Sequence, residues 1–269
     1  MAVEIKNWTT RYKKGYDRLL AEDPDHMFIF YHQHESAPEI SRILNSYASG
    51  DMYTRKTIDP KTRQLLIIAA CVARGVNDNS LKAHMDTAMD YGSTPDEIKE
   101  LLLYTAAGAG FPTCFWGLRC LGEAVKRREQ EGKSVPVSED PIMITPDEER
   151  MQVGENLLSG LDVERYGVLK GSVGEVFPTF YEHLVSFGYG DVFARTCLDE
   201  RIKHLFMITT LVSLDKASEL VEMHIKACAD AGVTLADFEE VLLVFSVYIG
   251  FASAFDFAKA VMKVYQVAL

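Results

Sequence analysis

The amino-acid sequence predicts an all-α protein that consists of two copies of one helical domain, packed on each other as a pseudo-dimer. A shift of 140 residues aligns Glu35–Val125 with Glu175–Tyr265 without a gap, and 21 of the 91 aligned positions are identical. Apolar residues recur at helical spacing in both copies, and no stretch alternates polar and apolar residues as a strand would. The period is that of a small domain and is far longer than a solenoid unit of about 20 to 50 residues.

Identical residues recur at matching positions in the two copies, which we place at residues 1–134 and 135–269. The pairs are Pro38/Pro178, Gly50/Gly190, Asp51/Asp191, Arg55/Arg195, Asp59/Asp199, His84/His224, Gly92/Gly232, Thr94/Thr234, Glu100/Glu240, Gly110/Gly250 and Phe111/Phe251. With a one-residue gap, the match extends upstream and pairs Arg11 and Gly15 with Arg150 and Gly154. Any functional site must therefore be sought in both copies.

The most clearly marked helix of each copy begins at an aspartate. Asp59 can cap a helix whose first residue is Pro60, a combination typical of helix starts. This helix continues through an apolar run to about Arg74, and Gly75 ends it. Asp199 begins the matching helix in the second copy.

The later helices of each copy are marked by glycines and capping threonines. They are, in order, a helix that ends at Gly92 (Gly232 in copy two), a capping box at 94–97 (234–237), an apolar helix over 98–109 (238–249), and a last amphipathic helix after Gly110 (Gly250). The charged stretch 126–133 and the prolines that follow it predict a linker. A further capping pattern at 145–148 begins the first helix of copy two.

Composition excludes several classes of function. The net charge is −11, which argues against a nucleic-acid partner because such partners are bound largely by positive charge. No apolar run approaches the 18 to 20 residues or so of a membrane span, and the polar N-terminus shows no secretory signal. The five scattered cysteines fit reduced thiols, so we expect a cytoplasmic protein without a membrane partner.

Two histidines occupy the same place in the two copies, on an apolar helix face. The apolar residues at helical spacing around them are Leu81, Met85 and Ala88 near His84, and Val221, Ile225 and Cys228 near His224. Such a histidine is either a structural group bonded to a neighbour or a proton-transfer group at a cavity, where small environmental changes move its pKa across neutrality. We predict His84 and His224 as catalytic residues, with the structural role as the alternative.

An arginine precedes the capping aspartate by four residues in each copy. Arg55 or Arg195, near a buried histidine, could hold a substrate carboxylate through two parallel hydrogen bonds. The alternative is a salt bridge, for which the candidate partners are Asp59, Asp199, Glu35 and Glu175. Glu35 and Glu175 would then be orienting or capping groups rather than acids, and we place both with Arg55 and Arg195 among the predicted substrate-binding residues.

No motif predicts a metal or a cofactor. His32, His34 and Glu35 have neither helical nor zinc-type spacing, and copy two has no counterpart for the two histidines. Neither copy contains a CxxC pair, a phosphate-binding glycine loop or a nucleophile elbow. The expected partner is a small carboxylic acid.

Several segments taken together resemble the carboxymuconolactone decarboxylase family, which also holds the alkylhydroperoxidase D-like proteins. They are 58–63, His84, 92–98 and 110–112 in copy one, and 190–199 in copy two. The peroxidase branch of this family carries CxxC before the histidine, but Asn77 and Ser80 occupy those positions in copy one, and Ala217 and Leu220 in copy two. The family's relay glutamate falls near Gln64 and His204.

This resemblance implies a cofactor-free decarboxylation of a carboxylated lactone, in which an arginine binds the carboxylate and a histidine delivers a proton. Two alternatives stay open, a thiol-dependent peroxidase-like protein and a non-catalytic binding or assembly module. Single-copy relatives form cyclic oligomers built from dimers, so the resemblance also implies a homotrimer of this fused chain that forms a pseudo-hexamer.

Overall fold

A computed structural model describes residues 9–22, 35–138, 144–216 and 219–267, which form helices and loops without a strand. Copy one contains α1 (Thr10–Glu22), α2 (Pro38–Leu44), the π-helix π1 (Asn45–Met52), α3 (Pro60–Ala73), α4 (Asn79–Asp90), α5 (Pro95–Ala109) and α6 (Phe111–Gln130). Copy two contains α7 (Arg150–Leu161), α8 (Val163–Val176), α9 (Pro178–His183), the π-helix π2 (Leu184–Phe193), α10 (Glu200–Ser213), α11 (Glu219–Asp230), α12 (Leu235–Tyr248) and α13 (Phe251–Val264). The predicted all-α class is confirmed. Within these ranges, no helix has the length and apolarity needed to cross a membrane.

Four of the predicted helix starts are the observed ones, because each has its capping side chain in place. The start predicted at 145–148 is wrong, because α7 begins at Arg150 and Glu149 before it makes no side-chain cap. Asp59 caps α3 by accepting a hydrogen bond from the amide of Thr62 at 2.9 Å, and Asp199 caps α10 in the same way. Thr94 and Thr234 form capping boxes at the starts of α5 and α12. Local sequence therefore fixes where four of the helices that surround the site begin.

Part of the predicted linker is helical. We expected the linker to begin at Lys126, whereas α6 continues to Gln130. Arg128 is buried and donates hydrogen bonds to Asp86 at 2.9 Å and to Asp90 at 2.7 Å, both on α4. The charge of Arg128 thus holds α6 against α4 instead of facing solvent.

Paired glycines mark a close approach between two helices in each copy. A Cβ atom on Gly50 would lie 2.4 Å from the carbonyl oxygen of Arg11, and one on Gly190 would lie 2.2 Å from that of Arg150. Only glycine lets π1 pack this closely on α1, and π2 on α7. The aspartate that follows each glycine accepts hydrogen bonds from the side chain of the same arginine. These contacts explain why this set of residues is identical in both copies.

The two copies pack through their most apolar helices. α3 and α10 are buried on nearly every face and contact each other. α12 of copy two also lies on α3, and α5 of copy one lies on α10. A helix that is apolar all round must be enclosed, so each copy covers the central helix of the other. The predicted pseudo-dimer is confirmed.

A buried glutamate from each copy binds the loop before the central helix of the other copy. Glu240 on α12 accepts hydrogen bonds from the amides of Thr57 at 2.8 Å and Ile58 at 3.0 Å, and from the guanidinium of Arg63 at 3.1 Å. Burial alone would raise the pKa of Glu240, but these hydrogen bonds outweigh it and the net pKa is lowered. The carboxylate is therefore bound in its ionised form.

The pseudo-symmetric contact runs in the opposite direction. Glu100 on α5 is fully buried and accepts hydrogen bonds from the amides of Cys197 and Leu198, both at 3.2 Å. Arg195 Nε lies 3.6 Å from the same carboxylate. We call this pair of contacts the glutamate exchange. Each copy thus supplies the hydrogen-bond acceptor that the other needs.

We predict that Glu240→Gln destabilises the protein by about 3 kcal/mol at neutral pH, because it removes one partner of a buried ion pair and leaves Arg63 without its countercharge. The matched control is Glu239→Gln. The Glu239 side chain is 64% exposed and pairs with Arg55 at the surface, so we expect a loss below about 1 kcal/mol. Denaturant unfolding of both variants measures the difference, and equal losses would contradict the structural role of Glu240.

The contribution of Glu240 also has a predicted pH dependence. Its folded pKa lies below the ordinary value of 4.5, so the folded state binds its proton less readily than the unfolded state does. The stabilisation is present above about pH 4.5 and is lost as pH falls through the folded pKa. The difference in free energy of unfolding between the wild-type protein and Glu240→Gln should therefore shrink in acid.

Candidate active site

The first candidate site surrounds His84, whose side chain lies inside copy one and is 2% exposed. Nδ1 of His84 lies 2.9 Å from the amide oxygen Oε1 of Gln64 on α3. Because an amide oxygen can only accept, Nδ1 carries the proton and donates it. Nε2 then accepts a hydrogen bond from the hydroxyl of Tyr248, 3.3 Å away. In the neutral ring, these contacts with Gln64 and Tyr248 hold His84 in one tautomer.

Two tyrosines extend this network across the boundary between the copies. Tyr248 is the last residue of α12 in copy two, and its hydroxyl is hydrogen-bonded to that of Tyr53, which directly follows π1 in copy one. The guanidinium of Arg18 lies over the ring of Tyr53, 4.1 Å from its centroid. A guanidinium in this position is attracted to the electron-rich face of the ring. The site is therefore built from both copies.

A cavity of about 910 Å³ opens beside this network. Gln64 and Tyr53 both line it, so His84 reaches the cavity only through groups to which it is bonded. Among the described residues, the basic side chains in the wall are Lys14, Arg18, Arg55, Lys56 and Arg63, and the acidic ones are Asp17 and Asp59. This excess of positive charge attracts a carboxylate.

Arg55 lies in the cavity wall, but its ion pairs are not those that the sequence suggested. Its guanidinium lies 3.2 Å from Glu239 and 3.5 Å from Glu240, both on α12 of copy two. Arg195 pairs with Glu100 of copy one instead of with Asp199 or Glu175. Each arginine is therefore oriented by the opposite copy, and Arg55 remains 37% exposed at its side chain, beside the cavity.

Glu35 and Glu175 lie on the surface. Glu35 precedes α2, and Glu175 belongs to the last turn of α8, and both side chains are exposed. Neither is among the described residues that line the cavity. The orienting role predicted for them therefore has no contact in the described part of the chain to support it.

The equivalent place in copy two is filled with rings. Nδ1 of His224 lies 3.0 Å from Nδ1 of His204, so one of these nitrogens donates and the other accepts. The ring of Phe193 is stacked on that of His224, with centroids 5.7 Å apart. Phe193 stands where copy one has Tyr53, and Gly108 stands where copy two has Tyr248. Copy two therefore keeps the histidine but lacks the two hydroxyls.

Both histidines of this pair are neutral near pH 7. Burial lowers the pKa of His204 to about 4, although the charge of Glu200 opposes the shift. Burial, followed by the neighbouring His204, lowers the pKa of His224 well below its ordinary value. A dry, neutral pair of this kind has the properties of a structural core group.

The model of the carboxymuconolactone decarboxylase family matches the chain twice, at residues 38–123 and 178–263. The chain belongs to this family. Each match covers one histidine, one of the two arginines and one exchanged glutamate.

Two known proteins show how this family member relates to others. The 4-carboxymuconolactone decarboxylase of Acinetobacter baylyi is 32% identical over 74 residues, which are 28% of this chain. The chain spans about half of that protein's length, 54%. A crystal structure of a protein from Burkholderia xenovorans LB400, provisionally assigned as a gamma-carboxymuconolactone decarboxylase subunit, covers 96% of this chain and 98% of its own. It has a TM-score of 0.56 and 17% identity, a similarity that supports the fold.

The cysteines of this family member are poor nucleophiles. Burial raises the pKa of Cys71 to about 12 and that of Cys197 to about 11, and it also raises the pKa of Cys228. Because the thiolate is the reactive form, these thiols are inert near neutral pH. The possible metal ligands His32 and His34 lie outside the described residues.

Sequence reasoning missed the tyrosine pair and the glutamate exchange. The identity of Glu100 and Glu240 was visible, but no local pattern shows that these residues bind the opposite copy. The signal for Tyr53 and Tyr248 is a difference, since the aligned residues of the other copy are Phe193 and Gly108. Comparing the copies for divergence as well as identity would have drawn attention to them.

We predict that the free energy of unfolding falls as pH drops from about 6.5 to about 4, because unfolded histidines bind protons in this range while His204 in the fold does not. His204→Gln, which copies Gln64 of the other site, should weaken this dependence and keep a hydrogen bond to His224. Denaturant unfolding at several pH values measures both slopes, and identical slopes would contradict the prediction.

Proposed function

We propose that the chain is a cofactor-free, decarboxylase-like lyase that acts on a small cyclic or lactonised carboxylic acid, with its working site around His84. The observation that carries this proposal is the connection of buried His84, through Gln64, Tyr248 and Tyr53, to a basic cavity. The partial match to a 4-carboxymuconolactone decarboxylase suggests the substrate type. A cavity of about 910 Å³ is ample for such a molecule.

The proposed reaction needs little from the protein beyond binding and one proton. When the bond to the carboxylate breaks, its electron pair passes into the unsaturated lactone carbonyl, and CO2 leaves. The resulting enolate is stabilised by positive charge, and a proton then forms a new C–H bond at a carbon of the enolate. The lactone itself serves as the electron acceptor, so the His84 network has only to supply the proton.

Arg55 is the proposed carboxylate-binding group. It lies in the cavity wall, and its orientation is set by Glu239 and Glu240. An oriented guanidinium binds a carboxylate through charge-assisted hydrogen bonds. Arg195 pairs with Glu100 beside the ring-filled site of copy two. We therefore assign turnover to copy one and a structural role to His224 and Arg195.

The two alternative functions fit this arrangement less well. Peroxidase chemistry needs a thiolate, and burial raises the pKa of the thiols at Cys71, Cys197 and Cys228. A binding module would hold a small acid without releasing CO2, and the assay below separates it from an enzyme. The five free thiols are consistent with our expectation of a reducing, cytoplasmic location.

With 4-carboxymuconolactone as substrate, we expect CO2 release that falls by about 10²- to 10⁴-fold in kcat for His84→Ala, because the proton supply is lost. His224→Ala is a matched control, since the two histidines are equally buried. It should keep kcat within a few fold. Thermal unfolding of both variants shows that they remain folded at the assay temperature.

The same assay tests the arginine pair. Arg55→Gln should raise KM roughly 10-fold through the loss of a charged hydrogen bond, while Arg195→Gln should not. Binding without CO2 release by the wild-type protein would favour the module. Equal loss of activity in the two histidine variants would contradict a working site in copy one alone.

We also propose that three chains form a ring. Large apolar side chains are exposed at equivalent positions in both copies, namely Ile40/Phe180, Phe111/Phe251 and Phe115/Phe255. Exposed apolar residues that recur in this way indicate a contact surface. Because each chain presents this surface twice, a closed ring of six domains needs three chains, as the family resemblance implies.

Light scattering should therefore give three times the chain mass of 30.2 kDa. The double variant Phe115→Glu with Phe255→Glu should give the single-chain mass, because burying two charges in the contact is unfavourable. A wild-type monomer would contradict the ring.

A further inference from the structure

We propose that Tyr53 is the residue that hands the proton to the substrate, and that Tyr248 of copy two and His84 are positioning residues behind it. This inference rests on the proposed function and assigns its chemical step to particular atoms. His84 is 2% exposed and does not line the cavity, whereas Tyr53 does. The histidine therefore has no direct path to a bound molecule and acts through the groups bonded to it.

The hydrogen-bond directions give each residue its task. Gln64 accepts a hydrogen bond from Nδ1 of His84. In the neutral ring Nε2 is then an acceptor, and the hydroxyl of Tyr248 donates a hydrogen bond to it. A tyrosine hydroxyl has one proton, so in this state Tyr53 donates to the oxygen of Tyr248. His84 thereby fixes the orientation of Tyr248, and Tyr248 fixes the orientation of Tyr53.

The proton step balances with one water molecule as the further reactant. The Tyr53 hydroxyl turns from Tyr248 to the substrate, its O–H bond breaks, and the proton joins a carbon of the enolate, using the electron pair held there. Tyr53 becomes a phenolate, and Tyr248 can turn its hydroxyl proton from His84 towards it. The Arg18 guanidinium, 4.1 Å from the ring centroid, offsets the new negative charge. A water molecule then protonates the Tyr53 phenolate, and the hydroxide that remains combines with the released CO2 as bicarbonate.

Copy two shows what the fold looks like without this function. Phe193 occupies the position equivalent to Tyr53, at the end of π2, and Gly108 occupies the position equivalent to Tyr248. A Cβ atom on Gly108 would lie 2.8 Å from Cγ2 of Thr210, so a tyrosine there would require the two helices to move apart. Both hydroxyls are absent from the copy-two site, to which we assign no turnover. Phe193 also shows that phenylalanine fits this backbone, so Tyr53→Phe is expected to fold.

The test compares Tyr53→Phe, Tyr248→Phe and Tyr104→Phe in the CO2-release assay with 4-carboxymuconolactone. Tyr53→Phe should lower kcat by about 10²- to 10⁴-fold while KM changes less than about threefold, because only the proton transfer is removed. Tyr248→Phe should lower kcat by a smaller factor. Tyr104 packs on Phe193 in copy two, so Tyr104→Phe should retain wild-type kcat.

A second measurement does not require turnover. 3-Fluorotyrosine placed at position 53 gives a ¹⁹F resonance that should shift when the lactone is added, and should shift again in the Tyr248→Phe and His84→Ala backgrounds. A purely structural tyrosine remote from the bound molecule would not respond to the lactone.

The outcomes separate the two proposals. If the wild-type protein releases CO2 and Tyr53→Phe keeps kcat within threefold, the assignment of Tyr53 is overturned and the proposed function stands. If the wild-type protein releases no CO2, the proposed function fails for this lactone. The ¹⁹F measurement then decides alone: a response to both the lactone and the Tyr248 change supports the contact role of Tyr53, and no response overturns it.

Discussion

A buried carboxylate needs hydrogen-bond donors wherever it lies, and this requirement sets how the two copies meet. Glu240 finds its donors in the loop before α3, and Glu100 finds them in the loop before α10. Tyr248 is eight residues after Glu240, about two helical turns along α12. The docking that satisfies Glu240 therefore also carries Tyr248 to Tyr53 and His84.

The same docking has opposite results in the two sites because the residue at the far end of each helix differs. Eight residues after Glu100 the chain has Gly108, which brings no side chain and lies closely against α10. The space near His224 is taken by Phe193 and His204 instead. Similar backbones thus hold a hydroxyl-bearing site beside a cavity in one half and a buried cluster of rings in the other.

The sequence was sufficient for the features that depend on near neighbours. Asp59 and Thr94 specify helix starts through side chains that act within one turn, and the helical spacing around His84 specifies its burial. The sequence was insufficient where the partners of a charged side chain come from distant segments of the chain. The arginine partners Glu239 and Glu240 are about 185 residues from Arg55, and the carboxylates that accept hydrogen bonds from Arg128 belong to a different helix. Helical periodicity shows which face of α12 is apolar, but it does not show which face of copy one that helix meets.

The composite site has a consequence for how this chain can vary. A single-copy protein that assembles from identical subunits must keep every site residue in every subunit. In the proposed site, Tyr53 is required only in the first half and Tyr248 only in the second. Each half can therefore change the residue that the other half supplies, but it must keep its own. The second half is therefore needed for the site of the first half. If the two halves were separate fragments, they would have to associate before the site contained both tyrosines. Fusion in one polypeptide ensures that both tyrosines are always present together.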